Sequence, residues 1–390
     1  MMINSTNVGV YIHIPFCVRK CRYCDFLSFP AEESLKKEYV EALCREIRGY
    51  SCKGRTADSV FIGGGTPSVL SPELTESIIN TVADVFNLSP ECEITAEINP
   101  GTMDREKTRV YRDCGINRIS MGVQSLDDRL LERLGRIHRK KEVYETYNLL
   151  REAGFDNINT DLMFSLPGQS IETWDKTLRE TVDLKPEHIS FYGLIIEAGT
   201  PFYDELKSGN LEETEDEQDR LMYRLALERL TAAGYRQYEI SNAAFPRRES
   251  VHNLKYWSME DYAGFGIGAH SFEKGMRYCC TTDIKEYLSQ YREIPEDRKK
   301  FCSIINRNTV KDNAEEFIFT GLRKTAGVLK KDFEKLTGKS IESVYSDEIN
   351  RMSEEGLLID SGDRIYLTEK GTDLSNYVMR EFIKEEEWKQ

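Results

Sequence analysis

Short apolar runs of strand length recur through the first half of the chain, at residues 8–14, 59–62, 93–98, 118–123, 157–163 and 188–194. Between them the period changes. Tyr39, Val40, Leu43 and Ile47, and then Ile78, Ile79, Val82 and Phe86, fall at the spacing that lays one apolar stripe along a helix. Three helical stretches close alike, in Arg112-Asp113-Cys114-Gly115, Arg151-Glu152-Ala153-Gly154 and Thr231-Ala232-Ala233-Gly234, and each runs into a strand. Glycine there supplies the left-handed residue that caps a helix. Repeated strand–helix units predict an α/β fold with a parallel sheet, helices outside it, and ligands at the carboxyl ends of the strands.

The texture changes near Thr309. A helix through Phe317 and Leu322, a turn at Gly327, helices over 329–336 and 341–356, and a hairpin around Ser361-Gly362-Asp363 follow in the order of a winged helix. Such modules can bind DNA, but Glu385, Glu386 and Glu387 make the end acidic, so a packing or lid role is expected. The expected division is a barrel over 1–240, a connecting segment over 241–308 and a C-terminal winged-helix-like domain over 309–390. The acidic stretch Glu212, Glu213, Glu215, Asp216 and Glu217 precedes a helix carrying Leu221, Leu225, Leu227 and Leu230, and reads as a solvated helix start.

Composition narrows the function classes. A chain of 390 residues outgrows a single core, and 39% hydrophobic residues suffice for two. A net charge of -14 opposes general attraction to nucleic acid or anionic membrane. No run approaches the roughly 18 apolar residues of a spanning helix. Residues 1–8 have no basic flank followed by an apolar core, so a cytoplasmic address without an integral membrane segment is expected. The ten cysteines then read as free thiols, ligands or core residues. Cys44, Cys52, Cys92, Cys114 and Cys302 are scattered and read as small buried hydrophobes; the adjacent Cys279 and Cys280 read as structural.

Only Cys17, Cys21 and Cys24 cluster at ligand spacing, on a segment entered directly from the first strand. Three thiolates separated by three and then two residues can hold a cubane cluster and leave its fourth iron open. A structural zinc site needs four ligands, and no fourth Cys or His stands in this loop; His13, inside the strand, is the nearest. Phe61-Ile62-Gly63-Gly64-Gly65-Thr66-Pro67 puts bare backbone at a strand end, either a tight turn or a place where a ligand approaches closely. Glu97, Gln124 and Asp161 stand at further strand ends, where each is either a ligand contact or a satisfied polar group.

The Cys-x3-Cys-x2-Cys loop after the first strand resembles the radical S-adenosylmethionine (SAM) superfamily, which implies a partial (β/α)6 barrel, a [4Fe-4S] cluster on Cys17, Cys21 and Cys24, and SAM on the open iron. In that superfamily an electron from the cluster cleaves SAM to a 5'-deoxyadenosyl radical, and a low-potential electron donor is implied. Gly64, Gly65 and Thr66 resemble the element that receives the SAM amino group. Tyr11, Glu97, Gln124, Arg136 and Asp161 resemble SAM-contacting positions of the coproporphyrinogen oxidase-like branch. That likeness spans roughly residues 8–375, with Phe164-Ser165-Leu166-Pro167-Gly168-Gln169 and Gly264-Phe265-Gly266-Ile267-Gly268-Ala269.

Two subfamilies share these motifs: the oxygen-independent coproporphyrinogen III oxidases and the HemW-type heme chaperones. The oxidases carry a fourth cysteine where this chain has Phe26, and a long extension before the cysteine loop where only sixteen residues stand here. His252-Asn253-Leu254-Lys255-Tyr256-Trp257 resembles the HNxxYW motif of the chaperones. An imidazole beside a phenol and an indole suits heme, and equally suits a packed core histidine. The resemblance favours heme, with His252 as its expected ligand, Tyr256 and Trp257 covering a porphyrin face, and Lys255 or Arg247 meeting propionates. His138 and His270 are the alternative ligands. The expected partners are heme and heme-acceptor proteins; oxidative decarboxylation of coproporphyrinogen III is the alternative activity.

Overall fold

The computed structural model describes residues 7–384. All six anticipated strands are present: β1 (Asn7–Ile14), β2 (Thr56–Gly64), β3 (Asn87–Ile98), β4 (Arg118–Gln124), β5 (Ile158–Phe164) and β6 (His188–Gly193). They lie in chain order and pair in parallel. Each crossover therefore carries helix over the outer face: α1 (Glu33–Arg48), α2 (Pro72–Val85), α3 (Arg105–Asp113), α4 (Asp128–Arg133) with α5 (Lys140–Glu152), and α6 (Ile171–Leu184). Beyond β6 come α7 (Pro201–Lys207) and α8 (Asp216–Ala232). In β1, Val8, Val10, Ile12 and Ile14 are wholly buried in the core shared with α1, while Gly9, Tyr11 and His13 alternate with them toward the barrel interior. Gly115, Gly154 and Gly234 close their helices with φ of 90°, 83° and 90°.

The sheet has twelve strands, twice the number the apolar runs marked. β7 (Arg236–Glu239) and β8 (Asn242–Ala244) form an antiparallel pair beyond β6. On the other side, β9 (Tyr262–Phe265) joins β1 in parallel, and β10 (His270–Glu273), β11 (Met276–Cys279) and β12 (Ser303–Arg307) continue antiparallel. None exceeds five residues, too few for a period to declare itself. The two edges of this sheet do not pair among the described residues, so the barrel is partial.

A buried ion pair clamps the added strands to the barrel. Arg298, after α9 (Val251–Trp257) and α10 (Ile284–Gln290), donates to Glu46 of α1 at 2.9 Å, with both side chains at 0% exposure. Glu46 also accepts from the Tyr287 hydroxyl at 2.6 Å and the Gly266 N–H at 2.8 Å, and the guanidinium lies 3.9 Å from the centre of the Phe265 ring. Every charge has partners, as burial requires.

The C-terminal region has the order of a winged helix: α11 (Val310–Gly321), β13 (Val328–Leu329), α12 (Lys330–Thr337), α13 (Ile341–Glu354), β14 (Leu358–Asp360) and β15 (Arg364–Leu367). Phe317, Phe333, Tyr345, Met352 and Ile365 form its own core. It meets the barrel through backbone bonds, Ile240 N–H to Arg323 O at 3.1 Å and Thr325 N–H to Tyr238 O at 3.0 Å. Glu385, Glu386 and Glu387 lie outside the described residues. Cys44, Cys92 and Cys280 are buried as anticipated, and Cys114, Cys279 and Cys302 are half-buried, but Cys52 stands exposed in the loop after α1. No described helix is long and apolar enough to cross a membrane.

Candidate functional site

The cysteine loop leaves β1 at Ile14 and is held from three sides. His13 Nε2 is hydrogen bonded with Leu27 O at 2.9 Å, the Phe29 N–H returns to Pro15 O at 2.8 Å, and the Arg22 N–H donates to Leu134 O at 3.0 Å. The glycine segment after β2 lies directly on it, with the Gly65 N–H on Ile14 O at 2.8 Å and the Thr66 N–H on Phe16 O at 2.7 Å. A Cβ at Gly65 would stand 2.6 Å from Phe16 O and 3.1 Å from Cys17 Sγ, so only glycine permits this contact. Thr66 Oγ1 lies 3.5 Å from Cys17 Sγ, and Arg136 Nη1 lies 3.6 Å from Cys21 Sγ. Two polar groups thus stand against the cysteine sulfurs.

These residues open into a cavity of about 330 Å³ at the carboxyl ends of the strands. Cys17, Cys21, Cys24, Gly64, Gly65, Thr66, Glu97, Gln124, Arg136 and Asp161 all line it. Of the residues expected there, Tyr11 alone does not. Its hydroxyl is hydrogen bonded with His13 Nδ1 at 3.0 Å, and its ring packs against Phe61 and His252 deeper in the barrel. Sequence reasoning missed Tyr23, Asn99, Ser120 and Tyr192, which also line the cavity. Alternation was the available signal for Ser120, which stands four residues before Gln124 on β4 and faces the same way.

Two half-buried carboxyls set the cavity's electrostatics. Burial, and then the charge of Asp161, push the Glu97 carboxyl up to about 8, and its Oε2 accepts from the Gly64 N–H at 3.0 Å. Burial likewise raises the Asp161 carboxyl, while Asn159 at 2.7 Å and Ser120 at 3.2 Å donate to it. Asn159 Oδ1 accepts in turn from His188 Nδ1–H at 2.6 Å, which fixes the amide's orientation. Arg136 donates to Asn99 Oδ1 at 2.5 Å and Gly122 O at 2.6 Å. Gln124 sits in the left-handed region at φ 64°, a strained state that turns its amide toward Tyr192, 3.3 Å away.

The chemistry of this donor set fits the groups the resemblance implies. Three loop thiols suit a cluster whose irons are each bound by a separate thiolate; among the described residues no three His, Cys, Asp or Glu side chains converge on a single metal ion. A ligand bearing an ammonium, a carboxylate and hydroxyls would find carboxyls at Glu97 and Asp161, a guanidinium at Arg136 and open backbone at Gly64 and Gly65. The volume falls in the range of small-molecule sites.

His252 is placed differently from expectation. It stands on the short helix α9 but, instead of being accessible, is only 1% exposed, at the amino-terminal ends of the strands. By strand rise that is roughly 15–20 Å below the cysteine loop. Its Nδ1 is hydrogen bonded with Ser59 Oγ and its Nε2 with the Tyr256 hydroxyl, each at 2.9 Å. Burial and the charge of Lys255 push its pKa down to about 3, so the ring is neutral. Lys255 is buried too and pairs with Asp58 at 2.8 Å and Glu260 at 2.9 Å, while Trp257 packs under Arg323 of the C-terminal domain. Glu93 accepts from the Val251 and His252 N–H groups, both at 3.2 Å. The hexapeptide closes the barrel floor. His252→Ala strips the buried Ser59 hydroxyl and the half-buried Tyr256 hydroxyl of their partner, and the expected cost is about 2–4 kcal/mol of unfolding free energy in urea titrations, with the iron content unchanged.

Comparison with known proteins places these features. The sequence model of the radical SAM superfamily matches residues 11–181, and that of the HemN C-terminal domain matches 308–374. The chain is 38% identical to the heme chaperone HemW of Bacillus subtilis, over 97% of this chain and 99% of that protein. It is 34% identical to the heme chaperone HemW of Escherichia coli, over 98% of this chain and all of that protein. The solved structure of coproporphyrinogen III oxidase (HemN) from Escherichia coli, described as a radical SAM enzyme, superposes with a TM-score of 0.83 over 97% of this chain and 90% of that one. At 21% identity this last is a likeness of fold.

Proposed function

Because the chain belongs to the HemW family of the radical SAM superfamily, we propose that it is a heme chaperone, binding heme and passing it to acceptor proteins. The near-full-length similarity to proteins named for that role carries the reading. Cys17, Cys21 and Cys24 hold the [4Fe-4S] cluster, and the cavity holds an exchangeable SAM among Gly64, Gly65, Thr66, Glu97, Gln124, Arg136 and Asp161. When bound together, cluster and SAM supply one-electron radical chemistry. The chain's own residues orient the ligand: Glu97 and Asp161 receive its cationic and hydroxyl groups, and Arg136 spans from the Cys21 sulfur to Asn99.

Phe26 favours the chaperone over decarboxylation of a porphyrinogen. It replaces the oxidases' fourth cysteine and is 61% exposed, an apolar surface beside the cluster loop. Anaerobic titration of the purified protein with heme, followed by absorbance, tests the reading. A saturating Soret change at about one heme per chain is expected. Anaerobic conversion of coproporphyrinogen III to protoporphyrinogen IX by the reconstituted protein would overturn it in favour of the oxidase.

A further inference from the structure

A heme iron takes one or two axial donors from the protein, most commonly an accessible imidazole nitrogen with a free lone pair, because the porphyrin fills four of its coordination positions. The chain has five histidines. Three of them have no nitrogen to give: His13 is bonded at Nδ1 and Nε2 to Tyr11 and Leu27, His188 to Asn159 and Tyr238, and His252 to Ser59 and Tyr256. His138 bonds Val123 O through Nε2 at 3.2 Å and is 5% exposed. Its remaining Nδ1 lies beside its own Cβ, the more crowded ring nitrogen for a flat macrocycle. His270 is exposed, with no hydrogen-bond partner on either ring nitrogen among the described residues.

Its surroundings suit a porphyrin. His270 opens β10 at the carboxyl-end side of the barrel, since β9 runs parallel to β1 and β10 returns against it. The turn before it packs on the cysteine segment: a Cβ on Gly268 would come within 2.7 Å of Leu27 Cδ2. Leu27 is followed back along the chain by Phe26, whose exposed ring has no place in the core. Directly across from His270 stands Cys279 of β11, half-buried. Neighbouring cross-strand side chains point the same way, so the two cannot occupy opposite faces of one porphyrin iron. Of the two, the imidazole is the more exposed.

We propose that His270 is the axial ligand of the heme this protein carries, and that the heme lies at the β9–β10 turn with Phe26 against its ring. This rests on the heme-chaperone reading. It puts the cargo at the surface, where an acceptor can reach it, and beside the cysteine loop. The floor hexapeptide then serves the barrel's stability and not the iron.

The test is anaerobic heme titration of the full chain, reading Soret position and dissociation constant, for wild type and for His270→Gly, Cys279→Ser, Phe26→Asp and His252→Ala. His270 is exposed, so its removal leaves the fold intact. His270→Gly is expected to bind heme at least tenfold more weakly with a shifted Soret band, and added imidazole is expected to restore the wild-type spectrum. Phe26→Asp is expected to weaken binding with the band unmoved, and Cys279→Ser to match wild type. In His252→Ala, the folded fraction keeps the wild-type band. An unchanged spectrum and affinity in His270→Gly overturns the assignment, as does a loss confined to Cys279→Ser or His252→Ala, while the chaperone reading stands. Failure of the wild type to bind heme overturns that reading and the assignment with it.

Discussion

Replacing any one of Cys17, Cys21 or Cys24 by Ala is expected to leave the protein essentially free of iron and acid-labile sulfide after anaerobic reconstitution, against about four of each per wild-type chain. The three thiols stand on one loop whose course is set by β1, the Gly65–Thr66 backbone and the Leu134 carbonyl. Two thiolates and solvent cannot replace a third at a cubane. Cys279→Ala and Cys280→Ala serve as controls, because Cys280 is buried with its thiol on Glu46 at 3.1 Å, and both lie beyond the loop. They are expected to retain the full complement. Retention of about four irons in each of the three loop variants would show that the ligands are elsewhere.

SAM affinity is expected to fall about ten- to a hundredfold in Glu97→Ala and Asp161→Ala with the cluster retained, since a buried hydrogen bond to a charged group contributes roughly 1.5–3 kcal/mol. Equilibrium dialysis with the reconstituted protein measures it. The wild type adds a pH signature. With its carboxyl raised to about 8, Glu97 is protonated in the free protein at neutral pH and must lose that proton to receive a cation. Affinity therefore rises with pH up to about 8 and levels above it, and Glu97→Gln removes the slope. The same shift has a stability sign. The native carboxyl holds its proton more tightly than the unfolded one, so without ligand the native state loses stability as pH rises from the ordinary 4.5 through about 8. Unchanged SAM affinity in both alanine variants would remove these carboxyls from the site.

The barrel and the lining of its cavity were legible in the sequence because both follow from short-range rules. Six apolar runs, glycines at helix ends and polar residues at strand termini each declare themselves within a few positions. Tyr11 and His252 were misplaced for a common reason. Both belong to motifs, but which end of the barrel a motif faces depends on partners far along the chain: Phe61 and His252 for Tyr11, and Ser59 and Glu93 for α9. A histidine beside aromatic residues looks the same in sequence whether it faces a ligand or fills a floor. The added strands escaped notice because three to five residues carry no period, and they hold to the barrel through a charge pair that no local pattern announces.

That pair has a consequence for the order of folding. Glu46 and Arg298 stand 252 residues apart in the chain. At a synthesis rate of about 5–20 residues per second, Glu46 waits roughly 13–50 s for the guanidinium that neutralises it. Until then α1 cannot settle on β1 without sealing in a bare carboxylate, at a cost of several kcal/mol. The earliest helix to emerge is thus among the last to be finished. A ribosome-bound or truncated chain lacking Arg298 leaves the outer face of β1, the strand that carries the cysteine loop, without its helix, and iron delivered to such a chain meets a loop whose supporting strand is not yet covered.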